Sequence, residues 1–358
     1  MVLSNNLLTT RNSSQLIAKI AAISVATAAL TVGVSSGATA QEVTLDGAGA
    51  SFPKPLYDRY FRQFQEDTGI QVNYEAIGSG GGIRQFTEET VDFGGSDAAM
   101  TDEEIEQVDR GVILVPSAGG AVSVSYNLPG VEDGELRIPS EVLPMIFMGE
   151  IETWDDERIA EANPDLDLPS LPIRPVVRAD GSGTTFIFTN HLSAISDKFD
   201  EEVGTGKSPD WTGNPLGGEQ NSGVAATIQQ TQGAIGYVQT SYAVENDIPQ
   251  ALIENANTGN YVEPTLDEAN RALGAVDFPD NFRVFEGNPG EGYPIVGMTW
   301  MMVYKEYDDP ETADAIKELV EWVYEEGQSI NGTLEYTEIP DSVGERVIET
   351  VNEEVTAE

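Results

Sequence analysis

The stretch Arg178-Ala179-Asp180-Gly181-Ser182-Gly183-Thr184-Thr185-Phe186 sets a guanidinium, several hydroxyls and flexible backbone just ahead of a segment read as a helix. Such a turn suits an oxyanion. Glycine lets the backbone approach a ligand, the first amides of a helix have no partners within it, and the helix dipole adds positive charge there. Arg178 offers a planar, permanently charged fork able to hold two ligand oxygens. Two more segments carry the same signature. Gly47-Ala48-Gly49-Ala50-Ser51-Phe52-Pro53 follows the strand-like Val43-Thr44-Leu45 and leads into a helix, with Ser51 offering an amide and a hydroxyl. Ile77-Gly78-Ser79-Gly80-Gly81-Gly82-Ile83-Arg84 precedes a helix expected from Ile83 toward Glu89, and Ser79 there plays the part of Ser51. Shortly after, Asp97 lies among the small residues of Val91-Asp92-Phe93-Gly94-Gly95-Ser96-Asp97-Ala98. One glycine loop merely turns the chain, but three serine-bearing helix entrances define a candidate site. A dinucleotide fingerprint fails, because Phe52 stands where its third glycine would be.

The elements that must position these turns are short. Gln71–Tyr74, Ala121–Tyr126 and Ala234–Val238 read as strands, the second by clear alternation. Tyr57, Tyr60, Phe61 and Phe64 recur at helical spacing after Pro53 and Pro55, as do Ala315, Leu319, Trp322 and Val323, and these stripes read as core faces. Strands alternating with helices predict an α/β fold, in which ligands sit beyond strand ends and at helix N-termini.

Residues 1–40 contain no Asp or Glu, an apolar run from Ile20 to Val34, and small residues through Ala38-Thr39-Ala40. That order predicts a cleaved secretory signal with Gln41 as the mature start; the run, broken by Ser24, Thr27 and Thr31, is short for a membrane anchor. Cysteine is absent from the 358 residues, which excludes a lipid-modified cysteine and any disulfide, so a soluble exported protein without a lipid anchor is expected. Past the leader, 16 Lys and Arg face 61 Asp and Glu, a net charge of −45. Nucleic acid and anionic membranes are poor partners for such a surface. With 40% hydrophobic residues the chain has ample core material, so the composition predicts a folded, acid-coated protein of saline habitat. At roughly molar salt the screening length falls to about 3 Å and the self-repulsion is relieved. The length past the leader suggests two domains.

These segments, in their order and spacing, resemble those of the periplasmic phosphate-binding proteins of ABC importers, the PstS family, over essentially the whole chain after residue 40. Trp154-Asp155-Asp156, Val203-Gly204-Thr205-Gly206, Gly233–Val238 and Ile339-Pro340-Asp341-Ser342 are similar as well. The resemblance implies a two-lobed α/β fold of type II, hinged on two crossover strands near Ser117 and Pro294. Lobe I would comprise 41–117 plus 295–358, and lobe II 118–294. It implies phosphate contacts from Ser51, the Phe52 amide, Ser79, Asp97, Arg178, Ser182, Gly183 and Thr184, with Asp180 bracing Arg178. It further implies a periplasmic monomer that hands phosphate to the permease subunits of the importer, with no cofactor or metal. Gly80 stands where a second serine is frequent, a departure expected to loosen that loop.

Asp97 adds chemistry of its own. An ionised carboxylate only accepts hydrogen bonds, so it suits an anion that carries a proton, as phosphate does near neutral pH and sulfate does not. Sites built around a ligand hydroxyl reject analogues lacking it by about 10⁴ to 10⁵. The rival readings are a binder of another oxyanion, which Asp97 opposes, and a secreted phosphatase. The latter lacks its parts. His191 is the only histidine and reads as a solvated or packed helix residue; past the leader there is no G-x-S-x-G turn, and cysteine is absent; and the runs Asp102-Glu103-Glu104 and Asp200-Glu201-Glu202 lack calcium-loop spacing.

Overall fold

The computed structural model describes residues 43–357, so the leader reading lies outside the described residues. The first strand, β1 (Thr44–Gly49), lies parallel to β2 (Gln71–Ala76) and β3 (Phe93–Ser96). Helix α1 (Lys54–Thr68) connects β1 to β2, begins on a proline-fixed turn and ends at Gly69, whose φ of 83° is a left-handed cap. Its expected stripe is its buried face: Tyr57 meets Tyr74 edge-on, and Tyr60 and Phe64 each meet Trp322.

Helix α2 runs from Ser79 to Thr87, starting four residues before the expected Ile83. Glycine is poor helix material in isolation, but here packing decides. A Cβ at Gly82 would lie 2.5 Å from the Gly49 Cα, so the glycines let α2 sit directly on β1. The helix stops short of Glu89, whose φ is 54°.

The strand β4 extends from Val112 to Tyr126, far beyond the alternating 121–126 stretch. The rest of the frame is β5 (Arg174–Arg178), α3 (Gly183–Ile195), β6 (Leu216–Gly218), α4 (Gln220–Gln230), β7 (Ala234–Gln239), β8 (Val296–Tyr304) and β9 (Tyr336–Thr337). One nine-stranded sheet results, in the order β2-β1-β3-β8-β4-β7-β5-β6, with β9 added on β4. β4 is common to both halves. Its first part, Val112–Ala121, pairs antiparallel with β8, and Val122–Tyr126 pairs antiparallel with β7. Ser117 is the extra residue of a bulge opposite Thr299 and Trp300, and its Oγ hydrogen-bonds the Tyr57 hydroxyl at 2.8 Å. The α/β alternation expected from the sequence is thus realised, and a second apolar cluster around Val176, Val224, Ile228 and Val238 supports the β7 half.

Candidate functional site

The three glycine-serine turns follow β1, β2 and β5, open α1, α2 and α3, and come together beside the end of β3. Ser51, Phe52, Ser79, Asp97, Arg178, Ser182 and Thr184 are all buried, and the contacts among them cross from one half of the sheet to the other.

Ser79 Oγ accepts the amides of Asp97 at 3.2 Å and Gly183 at 3.0 Å, joining α2, the end of β3 and the start of α3. Gly183 has to be glycine, since a Cβ there would lie 2.5 Å from Ser79 Oγ and 2.6 Å from the Asp97 Cβ. Ser182 caps α3, its Oγ accepting the Thr185 amide at 3.1 Å. Arg178, at the end of β5, donates from Nε to Asp180 Oδ1 at 2.8 Å and from Nη2 to Oδ2. Asp180 Oδ1 also accepts the Gln220 amide at 3.0 Å, and its carboxyl is held below its ordinary range: desolvation opposes ionisation, but the Arg178 hydrogen bonds and charge outweigh it. With one Nη1 hydrogen reaching Thr184 Oγ1 at 3.4 Å, two of the five guanidinium hydrogens have no partner among the described residues. Ser51 lies between β1 and α1; its carbonyl accepts the Tyr242 hydroxyl, while the Phe52 carbonyl accepts that of Tyr336.

Asp97 is 2% exposed, and burial lifts its pKa from 3.8 to about 7 against the opposing pull of Thr299, Arg178, Thr184 and Ser79. Thr299 Oγ1 donates to its Oδ1 at 2.9 Å. Gly80 does not leave a loose loop: its amide donates to the Gly181 carbonyl at 2.9 Å, and a Cβ there would come within 3.3 Å of the Gly181 Cα. Two ion pairs flank the site, Lys207 with Glu104 at 2.7 Å and Arg283 with Asp102 at 2.8 Å.

Several residues of this assembly escape a sequence reading. Asn221, in the first turn of α4, donates to both Ser51 Oγ and Thr184 Oγ1. Thr299 supports Asp97 from β8, and Tyr237 of β7 bonds Thr185 Oγ1 at 2.7 Å. Gly217 and Gly218, just before α4, are the local sequence signal for another helix entrance. His191 is a packed residue, 1% exposed, with Nδ1 2.8 Å from the Gly287 carbonyl; burial lowers its pKa to about 4. Among the described residues there is no group of three or more His, Cys, Asp or Glu side chains that could hold a metal ion, and no helix long and apolar enough to cross a membrane.

A sheet whose long shared strand carries two α/β halves, with helix N-termini gathered on the line between them, is the two-lobed type II fold of periplasmic binding proteins. The model for the PBP superfamily domain matches residues 34–326. A high-affinity periplasmic phosphate-binding protein, solved with phosphate bound, superposes with a TM-score of 0.69 at 20% identity, over 86% of this chain and 94% of that one. The phosphate-binding protein PstS of Xylella fastidiosa is 37% identical over 311 residues, covering 86% of this chain and 84% of its own. That of Haemophilus influenzae is 36% identical over 319 residues, covering 88% and 93%. The chain belongs to the PstS family of phosphate-binding proteins, a family of binders and not of enzymes.

Proposed function

We propose that this chain captures inorganic phosphate outside the cytoplasm and delivers it to the membrane permease of an ABC importer. The observation that carries the reading is the convergence of Ser51, Ser79, Asp97, Arg178, Ser182, Gly183 and Thr184, from segments separate in the sequence, on one buried spot where donors outnumber the carboxylate of Asp97. Removing phosphate from water is costly, so each oxygen needs partners, and hydroxyls, helix-start amides and two guanidinium hydrogens supply them. Asp97 accepts a hydrogen bond from the hydroxyl that phosphate carries and sulfate lacks, which opposes the reading as a general oxyanion binder.

In this reading the lobes comprise 41–117 with 295–358, and 118–294, hinged where β4 and the entry to β8 run side by side; opening there admits the anion and closure buries it. The Gly80 to Gly181 bond and the two flanking ion pairs support the view that the described arrangement is the closed one. Residues 1–40 serve export, the mature chain acts as a monomer without a lipid anchor, and its acidic surface suits high salt. Titration calorimetry of the purified mature protein with phosphate and with sulfate tests the reading. Phosphate binding with sulfate at least a thousandfold weaker is expected, on the scale set by sites that require a ligand hydroxyl. Equal affinities, or turnover of a generic phosphomonoester, would overturn it.

A further inference from the structure

We infer that Asn221 is a positioning residue that fixes which way the site's hydroxyl protons point, and so obliges Ser51 and Thr184 to act as donors to the anion. The inference rests on the phosphate reading above and adds a residue to it.

A serine or threonine hydroxyl has one hydrogen and two lone pairs, and left to itself it rotates to donate or accept as its surroundings allow. Here that freedom is removed. Ser51 Oγ accepts two hydrogen bonds, from the Asn221 amide at 3.1 Å and from Asn221 Nδ2 at 3.0 Å. Thr184 Oγ1 likewise accepts two, from the other hydrogen of Asn221 Nδ2 at 3.1 Å and from Arg178 Nη1 at 3.4 Å. With both lone pairs taken, the only group each hydroxyl can turn toward a ligand is its O–H.

The amide's own orientation follows from its third contact. Asn221 Oδ1 accepts the backbone N–H of Gln239 at 3.0 Å. A backbone amide only donates, so the oxygen must face Gln239 and the nitrogen must face the two hydroxyls. Asn221 is fully buried, which excludes competing water, and the residue before it, Gln220, is held at a left-handed φ of 60°. That strained backbone turns the Gln220 amide onto Asp180 and the next amide onto Ser51. One side chain from the β7 half therefore ties together hydroxyls from the starts of α1 and α3 and sets their sense. The anion then meets hydroxyl hydrogens already aimed at it, instead of inducing their rotation on arrival.

A double-mutant cycle tests this, with inorganic phosphate titrated by calorimetry into the full mature chain. Asn221→Ala is expected to weaken binding roughly tenfold or more in the wild-type background. In the Ser51→Ala, Thr184→Val background, where no hydroxyl remains to orient, the same change is expected to cost less than about threefold. An equal loss in both backgrounds, or none in either, would overturn the inference, because a residue that merely holds the fold acts regardless of the hydroxyls. If Asn221→Ala does not fold, Asn221→Ser removes the same two donors and takes its place in the cycle. Failure of the wild-type protein itself to bind phosphate would sink the phosphate reading and this inference together. Binding by wild type with no coupling sinks the inference alone.

Discussion

Asp97→Asn should make the ligand-free protein more stable while spoiling its selectivity. Burial holds the folded carboxyl's proton to about pH 7, whereas an unfolded aspartate releases it near 3.8. Between those values the folded state binds more protons than the unfolded one, so this group lowers stability as pH rises, and its full cost is present above pH 7. At 1.36 kcal/mol for each tenfold change in proton affinity, that cost is about 4 kcal/mol at most. Asparagine does not ionise, and its Oδ1 can still accept from Thr299 Oγ1, so the substitution should recover most of this energy at pH 8.5 and almost none at pH 4. Its Nδ2 would meanwhile present hydrogens to the ligand hydroxyl, so phosphate binding should fall and sulfate binding rise. Denaturant unfolding of both ligand-free proteins at pH 4 and pH 8.5 in constant high salt reads the first effect, and calorimetry with the two anions the second. A stability difference independent of pH would refute the account of Asp97 as a buried carboxyl held ready for a proton-bearing guest.

Gly183→Ala should weaken phosphate binding by at least tenfold by calorimetry, because the added methyl would occupy the space of Ser79 Oγ and the Asp97 Cβ and so push α2 and α3 apart. His191 has the opposite pH behaviour to Asp97: with its pKa lowered from 6.5 to about 4, its contribution is full above 6.5 and is lost as pH falls through that window. His191→Gln should therefore flatten the acid-side decline in unfolding free energy, by about 3 kcal/mol at most, and a decline unchanged by the substitution would show that His191 is not its source. The unfolding midpoint of the wild-type protein should rise steadily from dilute buffer to molar salt, given its acidic excess, and an equal midpoint at both ends would remove the saline reading.

Local turn chemistry was the most legible part of this chain. A glycine that must admit a neighbour and a serine that opens a helix leave their mark on adjacent residues, which is why Ser51, Ser79 and Ser182 stand out without any structure. The residues that organise them do not. Asn221 lies in the first turn of a helix and Thr299 in a strand, where polar residues are ordinary, and their roles arise only when distant segments dock. The same holds for β4. Proline and glycine ordinarily weaken a strand, yet Pro116, Gly119 and Gly120 all lie in β4, and Gly119 makes room for the strand paired beside it: a Cβ there would lie 2.5 Å from the Thr337 Oγ1 of β9. The helix start at Ser79 is hidden in the sequence for a similar reason, since three glycines disfavour a helix that its packing onto β1 permits.

The wide separation in sequence of the paired groups has a consequence for how the protein comes into being. Ser79 and Gly183 are 104 positions apart, Ser51 and Asn221 170, and Asp97 and Thr299 202. A growing polypeptide that has emerged as far as Thr184 already carries every residue proposed to touch the anion, yet it owns no receptacle, because Asn221, Gln239 and Thr299 have still to arrive. A fragment ending there should leave phosphate wholly in solution, and ligand can assist maturation only in its last stage, once nearly the entire chain is available to wrap around it.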